Sequence, residues 1–408
     1  GLSRADFAVS INSLDAPVLN SGYVGGEYWL VVDAPVQVAD GQYDLEVALC
    51  GGAYRETSLQ SVLYGDYIFR HAICMDLSGS MNNPVQKLEA AQQAAIFYVD
   101  TVRSDDRIGL VSFSGDDTEP GPVDDATAIG GQMFPGIPLM RLLMKIGINN
   151  FTAGGWTSIG DGLSISQDII DADTTTGELI DTILLLSDGK QNEALLWDDG
   201  SSIRNRFAGS PGNDTIINTI AFGPEADLNL MADIADATDG NASYIEVDVP
   251  DAGADVAADD AADADDAADA GNAADAAASS PSMFLRLAGA YLAGSEKAQR
   301  SERLVYLENE IGPSDNKTYE LDLQDHSVEQ GTLYIYWDGD AGALDVTVLD
   351  PDGSEITVAE ADILPPNYDN NERHKVWQMN VTLEHGIYEV QVENTTGDNV
   401  RFFAGISG

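Results

Sequence analysis

Between residues 67 and 248, short apolar runs alternate with stretches whose apolar residues recur every three or four positions. The runs are apolar almost throughout, as expected for strands that are buried on both faces of a parallel sheet. They predict strands at residues 67–75, 108–113, 182–186, 215–222 and 243–247. The stretches between them predict helices at residues 139–146, 159–170, 203–208 and 226–235.

Two further helices complete this region. One is expected to begin at Asn83-Pro84, because asparagine caps helices and proline is favoured in the first turn. The other is predicted at residues 283–298, where an apolar face recurs at helical spacing. The alternation of strands and helices favours a doubly wound α/β domain, in which helices cover both faces of a mostly parallel sheet. We place this domain at residues 67–303.

The two ends of the chain predict β structure. Residues 1–66 predict strands at 6–11, 27–32 and 43–49 and no helix. Residues 304–408 predict an antiparallel β-sandwich, with strands at 332–337, 344–349, 376–383, 387–392 and 400–406. Because both ends are rich in strands, we hypothesise that they combine into one composite sandwich that carries the α/β domain as an insertion.

A low-complexity segment interrupts the α/β domain. Residues 249–281 consist mainly of aspartate and alanine, and no Lys or Arg lies between Arg206 and Arg286. Such a segment buries too little apolar area to offset its chain entropy, and its charges repel one another. We interpret it as a disordered acidic insertion, with low-affinity calcium binding as the functional alternative.

The charge of the chain limits its partners. It has 69 acidic and 19 basic residues, for a net charge of −50. This excess argues against nucleic acid as a partner, because the phosphates would be repelled. The chain lacks an apolar run of about 18 residues, so we expect no direct membrane insertion. It begins at Gly1 without a charged-then-apolar leader, so any signal peptide is expected to have been removed, unless the sequence is a fragment of a longer chain. Adaptation to high salt and an ordinary acidic surface explain the charge equally well.

Cysteines and catalytic motifs are scarce. Cys50 and Cys74 are too few for a disulfide framework. Cys74 lies in a predicted strand and is interpreted as a buried apolar residue, with a Cys50–Cys74 bridge as the alternative. The sequence contains no nucleotide-binding Gly-x-x-x-x-Gly-Lys-Ser/Thr loop, no His-Glu-x-x-His and no Gly-x-Ser-x-Gly. We therefore expect that the protein is not an enzyme.

Three polar segments adjoin the predicted strands and helices. Asp76-Leu77-Ser78-Gly79-Ser80 and Ser187-Asp188-Gly189 follow strands, and Gly154-Gly155-Trp156-Thr157-Ser158 precedes a helix. In open α/β sheets the ligand crevice lies outside the carboxyl ends of the strands, where these segments can meet. Their carboxylates and hydroxyls form an all-oxygen donor set of the kind that hard cations prefer. We predict a Mg²⁺ site, with Mn²⁺ or Ca²⁺ as alternatives.

These segments resemble the metal-ion-dependent adhesion site (MIDAS) of the von Willebrand factor A (VWA) family. The family's Asp-x-Ser-x-Ser motif matches Asp76, Ser78 and Ser80, and its separate threonine and later aspartate match Thr157 and Asp188. The resemblance implies that the two serines and the threonine contact the metal, and that the aspartates act directly or through water. It places Trp156, Ser158 and Gly189 at the rim of the ligand site; Trp156 stands where many members have glycine directly before the threonine.

The overall layout, an A domain followed by a β-sandwich, resembles the calcium-activated chloride channel regulator family without its protease domain. Together these resemblances imply cation-dependent protein binding or adhesion, at a cell surface or outside the cell. The partner would present an acidic side chain to the metal. Two alternatives remain: a structural subunit of a surface layer or filament that associates with itself, or a partner-recruiting subunit of an enzyme complex.

Overall fold

In the computed structural model, most of the chain is described at the level of secondary structure. The described residues are 2, 4–24, 27–32, 34–39, 41–65, 67–82, 87–115, 125–192, 196–197, 203–207, 214–247, 282–298, 303–323, 331–340, 342–356, 373–378 and 386–408. The acidic tract at 249–281, the helix start at Asn83-Pro84 and residues 379–383 of a predicted strand lie outside them. In the described helices, no segment is long and apolar enough to cross a membrane.

The N-terminal region forms two small antiparallel sheets. Its strands are β1 (Phe7–Ile11), β2 (Leu14–Asp15), β3 (Val18–Val24), β4 (Glu27–Val32), β5 (Gly41–Leu49) and β6 (Tyr54–Tyr64). One sheet has the order β2-β1-β5-β6, and β3 pairs with β4. Val9, Ile11 and Ala16 form the buried centre of this region, and every partly buried apolar residue packed against them also comes from its own strands.

The central sheet follows in the chain. Its strands are β7 (Tyr67–Asp76), β8 (Arg107–Phe113), β9 (Ala126–Ala128), β10 (Phe134–Pro135), β11 (Glu178–Ser187), β12 (Ile216–Phe222) and β13 (Ala242–Ile245). The order is β10-β8-β7-β11-β12-β13, with β9 also paired to β8. The pairs from β8 to β13 are parallel, and β9 and β10 are antiparallel to β8. The chain moves outward from β7 in both directions, so the switch point lies between β7 and β11.

Helices cover both faces of the central sheet, as the doubly wound prediction requires. They are α1 (Lys87–Thr101), α2 (Pro138–Asn149), α3 (Ile159–Asp171), α4 (Ile203–Phe207), α5 (Leu228–Asp236) and α6 (Met283–Ala298). Helices α1, α2 and α6 pack on Ile73 and Met75 of β7. Helices α3, α4 and α5 pack on the opposite face, against Ala72 and Cys74. Cys74 is a buried free thiol, so the alternative of a Cys50–Cys74 bridge is wrong.

The described residues of the C-terminal region form an antiparallel sandwich of seven strands. Its strands are β14 (Arg303–Ile311), β15 (Asn316–Leu323), β16 (Thr332–Trp337), β17 (Leu344–Leu349), β18 (His374–Gln378), β19 (Gly386–Asn394) and β20 (Val400–Ser407). One sheet has the order β14-β20-β16-β18 and the other β15-β19-β17. Their inner faces enclose a core that includes Trp337 and Trp377. β14 and β15 were not predicted, although Tyr319, Leu321 and Leu323 of β15 alternate with the charged residues Glu320 and Asp322.

The composite sandwich is not formed by the described strands. Strands β1–β6 pair only with one another, and so do strands β14–β20. The apolar cores of the two regions share no residue. The hypothesis therefore fails, because strand-rich sequence at both ends of a chain does not specify which strands pair.

The sandwich packs instead against the α/β domain. Strand β16 is buried at all of its positions. Leu333 and Ile335 face the sandwich core. Tyr334 and Tyr336 face outward, onto Phe97 of α1 and the apolar side of α6. The tyrosines thus bury a second face of β16 against the α/β domain.

Candidate metal centre

Asp76 is the last residue of β7 and lies at the switch point of the central sheet. Its side chain is fully buried. One carboxylate oxygen, Oδ1, accepts a hydrogen bond from the backbone N–H of Ser78 at 2.7 Å. The other, Oδ2, accepts from Ser187 Oγ at 2.5 Å. Ser187 ends the neighbouring strand β11, so Asp76 ties the carboxyl ends of the two central strands together.

A chain of hydroxyl groups leads from this pair of strands to the second carboxylate. Ser78 Oγ lies 3.0 Å from Ser80 Oγ, and Ser80 Oγ donates to Asp188 Oδ1 at 2.6 Å. Asp188 is fully buried and follows β11 directly. Ser80 therefore links Ser78 to Asp188, although Ser80 and Asp188 are 108 positions apart in the sequence.

Thr157 reaches the site through a loop that is held against the loop after β7. Gly154 donates its N–H to Leu77 O at 2.7 Å, and Gly155 O accepts from Gly79 N at 2.9 Å. Gly155 has a φ of +81°, and a Cβ there would lie 2.1 Å from Gly115 O. Only glycine fits this position, because of both the backbone conformation and the close approach.

The backbone of Thr157 is fixed from a third segment. Its N–H donates to Asn192 Oδ1 at 2.8 Å, and its carbonyl accepts from Asn192 N at 3.1 Å. A Cβ on Gly189 would lie 2.8 Å from Thr157 Oγ1 and 3.6 Å from Ser80 Oγ. The glycine after Asp188 thus leaves space beside both the threonine and the serine hydroxyl.

The site opens to the surface on one side. An open pocket there is lined by Ser80, Thr157, Gly189, Lys190, Asn192, Pro224 and Glu225. Two of the predicted metal-ligand residues, Ser80 and Thr157, therefore face a pocket that a ligand can enter. Asp76 and Asp188 lie beneath it, both fully buried.

Two buried carboxylates so close together carry an electrostatic cost. Burial and, after it, the negative charge of Asp188 raise the pKa of Asp76 to about 6, although the hydrogen bonds from Ser187 and Ser78 oppose the rise. Lys87 donates to Asp188 Oδ2 at 2.6 Å and is itself almost fully buried. The buried part of the site therefore contains two carboxylates, Asp76 and Asp188, and one lysine side chain, Lys87.

The predicted rim residues have different positions. Trp156 is 46% exposed, so it stands at the surface, and its backbone forms an isolated β-bridge with Gly115. Gly189 lines the pocket. Ser158 is fully buried, and its hydroxyl donates to Asp161 Oδ2 at 2.9 Å. Its expected place at the rim is wrong, because the hydroxyl is held inside the start of α3.

The donor set fits a hard divalent cation. Among the described residues, no three His, Cys, Asp or Glu side chains come together as a metal site. The cluster at the switch point has two carboxylates, and its other donors are the hydroxyls of Ser78, Ser80 and Thr157. Oxygen donors of this kind suit Mg²⁺, Mn²⁺ or Ca²⁺. Asp76 and Asp188 outnumber the one lysine beside them, so a cation would relieve the repulsion that raises the pKa of Asp76.

Sequence reasoning missed three residues of the site. Ser187 and Asn192 support Asp76 and Thr157 through contacts between segments that are distant in the chain. Lys87 left a weak signal, since it is the only Lys or Arg between Arg70 and Arg103 in a chain poor in basic residues. Nothing in the sequence indicated which acid it would meet.

Comparison with known sequences gives two partial relatives. The chain is 30% identical over 184 residues to calcium-activated chloride channel regulator 3A-1 of Mus musculus, which covers 44% of this chain and 18% of that protein. It is 26% identical over 179 residues to an uncharacterized protein of Synechocystis sp., with 43% and 37% covered. The chain thus spans well under half the length of either relative. No protein-family model matches it.

Comparison with solved structures finds A-type domains at low similarity. Von Willebrand factor type A from Catenulispora acidiphila is 17% identical, with a TM-score of 0.42 over 100% of this chain and 73% of that chain. Proximal thread matrix protein 1 from the mussel byssus, with a zinc-occupied MIDAS motif, is 18% identical, with a TM-score of 0.32 over 43% of this chain and 41% of that chain. The α/β fold class rests on the topology described above.

Proposed function

We propose that this protein binds a divalent cation at the switch point of its central sheet and uses that cation to capture a protein partner. Ser78, Ser80 and Thr157 would supply hydroxyl ligands, and Asp76 and Asp188 would act as charged supports, directly or through water. The observation that carries the proposal is the convergence of these five side chains, from three separate segments, beneath one surface pocket.

The ligand chemistry follows from the donor set. Hydroxyl ligands are neutral, so the ion keeps more positive charge than it would in a cage of carboxylates. An aspartate or glutamate side chain from the partner would complete its coordination shell. Mg²⁺ suits such a site, and Mn²⁺ and Ca²⁺ are the alternatives to test. The proposal places this binding at a cell surface or outside the cell and assigns the protein no catalytic step.

Similarity to the mouse chloride channel regulator supports the proposal in part. The two chains are 30% identical over 184 residues, which amount to 44% of this chain. The net charge of −50 disfavours nucleic acid and anionic lipid as competitors for the site.

The test is a calorimetric titration of Mg²⁺, Mn²⁺ and Ca²⁺ into the wild-type chain and into Asp76→Asn. We expect saturable binding by the wild type and its loss in the variant, because the amide removes one of two charged supports. Asp105→Asn is the matched control, since it makes the same change at an exposed position before β8, at the opposite end of the sheet from the site.

The two variants separate a specific site from uptake by the acidic surface. Equal binding by the wild type and Asp76→Asn would mean that the ions bind nonspecifically, and the proposal would lose its mechanism. If binding is specific, sedimentation of the wild type with and without Mg²⁺ follows. Self-association that requires the metal would favour the structural-subunit alternative, with a second copy of the chain as the partner.

A further inference from the structure

Lys87 is a buried cation at the base of the proposed metal site. Its Nζ lies 2.6 Å from Asp188 Oδ2, and the side chains of the two residues are 7% and 0% exposed. A Cβ on Gly223, in the turn after β12, would lie 3.4 Å from both Lys87 Cε and Nζ.

The lysine divides the two oxygens of Asp188 between different partners. Oδ2 accepts from Lys87, and Oδ1 accepts from Ser80, which in turn lies beside Ser78. Only Oδ1 therefore faces the hydroxyl groups that are the proposed metal ligands. Lys87 orients Asp188 so that it presents a single oxygen to the site.

The lysine also changes the charge of the site. Asp76 and Asp188 together carry two negative charges when both are ionised, and Lys87 cancels one of them. In the part of the chain that the structure describes, no other ion pair reaches either aspartate. A divalent cation bound here would therefore keep about one positive charge that the protein does not neutralise.

We propose that Lys87 is a positioning residue for Asp188 and that its positive charge weakens metal binding in the absence of a partner. Tight binding of the ion would then depend on a carboxylate group supplied by the partner. This inference rests on the proposed function. It assigns Lys87 to the coupling between metal and partner, in addition to stabilising Asp188 when no metal is bound.

A purely structural role for Lys87 predicts a different result. If the lysine only holds α1 against the loop after β11, its removal should loosen the site and weaken metal binding. If it opposes the metal electrostatically, its removal should strengthen metal binding, because a unit charge at such a distance in a buried site interacts strongly with the ion. The two roles therefore predict opposite signs.

The experiment compares Mn²⁺ binding to the wild type, Lys87→Met and Lys87→Arg by calorimetry. Methionine keeps an unbranched apolar stem without the charge, and arginine keeps the charge. We expect Lys87→Met to bind Mn²⁺ at least about tenfold more tightly than the wild type, and Lys87→Arg to stay close to the wild type. Equal or weaker binding by Lys87→Met, in protein that circular dichroism shows to be folded, would overturn the inference.

A second measurement uses the wild type alone, in case Lys87→Met does not fold. Mn²⁺ is titrated in acetate and in chloride at equal ionic strength, with correction for the binding of acetate to free Mn²⁺. We expect acetate to tighten Mn²⁺ binding, because the ion retains positive charge. Saturable binding that acetate leaves unchanged overturns the inference and leaves the metal site intact. Absence of saturable binding overturns the proposed function, and the inference with it.

Discussion

Helix α1 connects two clusters of buried charge that are balanced in opposite ways. At Lys87, two buried carboxylates lie close to one cation: Asp188 accepts a hydrogen bond from the lysine, and Asp76 is buried nearby. In its last turn, Asp100 is buried between the α/β domain and the sandwich, where it meets several partners. Lys145 Nζ of α2 lies 3.0 Å away, and His374 Nε2 of β18 donates to Asp100 Oδ2 at 2.8 Å.

The pKa values of the acids show the difference. Burial opposes ionisation of Asp100, but the charges of Lys145, His374 and Arg141 outweigh it and hold the pKa of that carboxyl well below its usual range. Burial and Asp188 instead raise the pKa of Asp76 to about 6. The cluster at the domain interface is neutralised by the chain itself, whereas the cluster at the switch point is short of positive charge. We infer that the first serves stability and the second serves binding.

The largest effect on stability is expected for Asp100→Asn, which tests the cluster at the domain interface. The change leaves the buried cations of Lys145 and Arg141 without their counter-charge, and breaking a buried ion pair by removing one partner costs about 3–5 kcal/mol. We expect a loss of this size in urea unfolding, with metal binding retained in the folded protein. Asp105→Asn, at an exposed position five residues away, should change stability little. A loss below about 1 kcal/mol for Asp100→Asn would show that the interface cluster is not what joins the two domains.

The second test is the pH dependence that Asp76 contributes to metal-free protein. Its folded pKa of about 6 lies above the ordinary value of 3.8, so the folded state binds the proton more tightly than the unfolded state. The stability from this group is fully present below about pH 4 and is lost as the pH rises through about 6. The loss is about 3 kcal/mol by pH 7.

Asp76→Asn isolates this contribution. We expect the variant to be more stable than the metal-free wild type at pH 7 and to lose the advantage toward pH 4, as measured by unfolding across that range. Excess Mg²⁺ should stabilise the wild type only, since binding to the folded state adds to its stability. A variant less stable than the wild type at neutral pH without metal would contradict the charge deficit at the switch point.

The smallest effect on stability is expected for the Ser187 hydroxyl, which donates a hydrogen bond to Asp76. Ser187→Ala removes the hydrogen bond to a buried carboxylate and should cost metal-free protein about 1.5–3 kcal/mol at neutral pH. Ser166→Ala is the matched control, because the Ser166 hydroxyl is equally buried but donates to the neutral carbonyl of Gly162 at 2.7 Å. That change should cost about 0.5–1.5 kcal/mol. Equal costs for the two serines would mean that Asp76 is not ionised in the folded, metal-free protein.

Several features were predictable because they depend on local sequence. The helix at 283–298 and the strands at 27–32, 332–337 and 344–349 have the predicted bounds. The apolar runs that predicted strands β7 and β11 also placed Asp76 and Asp188 at their carboxyl ends. Parallel strands in a doubly wound sheet end at one edge, so the convergence of the polar segments followed from the strand pattern.

The tertiary structure alone decided how distant segments combine. The sequence did not show that Tyr334 and Tyr336 bury a second face of β16 against α1 and α6, or that Lys87 pairs with Asp188. It also misled on the pairing of the two β regions and on Ser158. The periodic pattern of apolar residues indicates how many faces of a helix or strand are buried, and a motif indicates which ligand-donor groups are available. The partner of a buried face or charge depends on contacts between residues about a hundred or more positions apart, and those form only when the whole chain has packed.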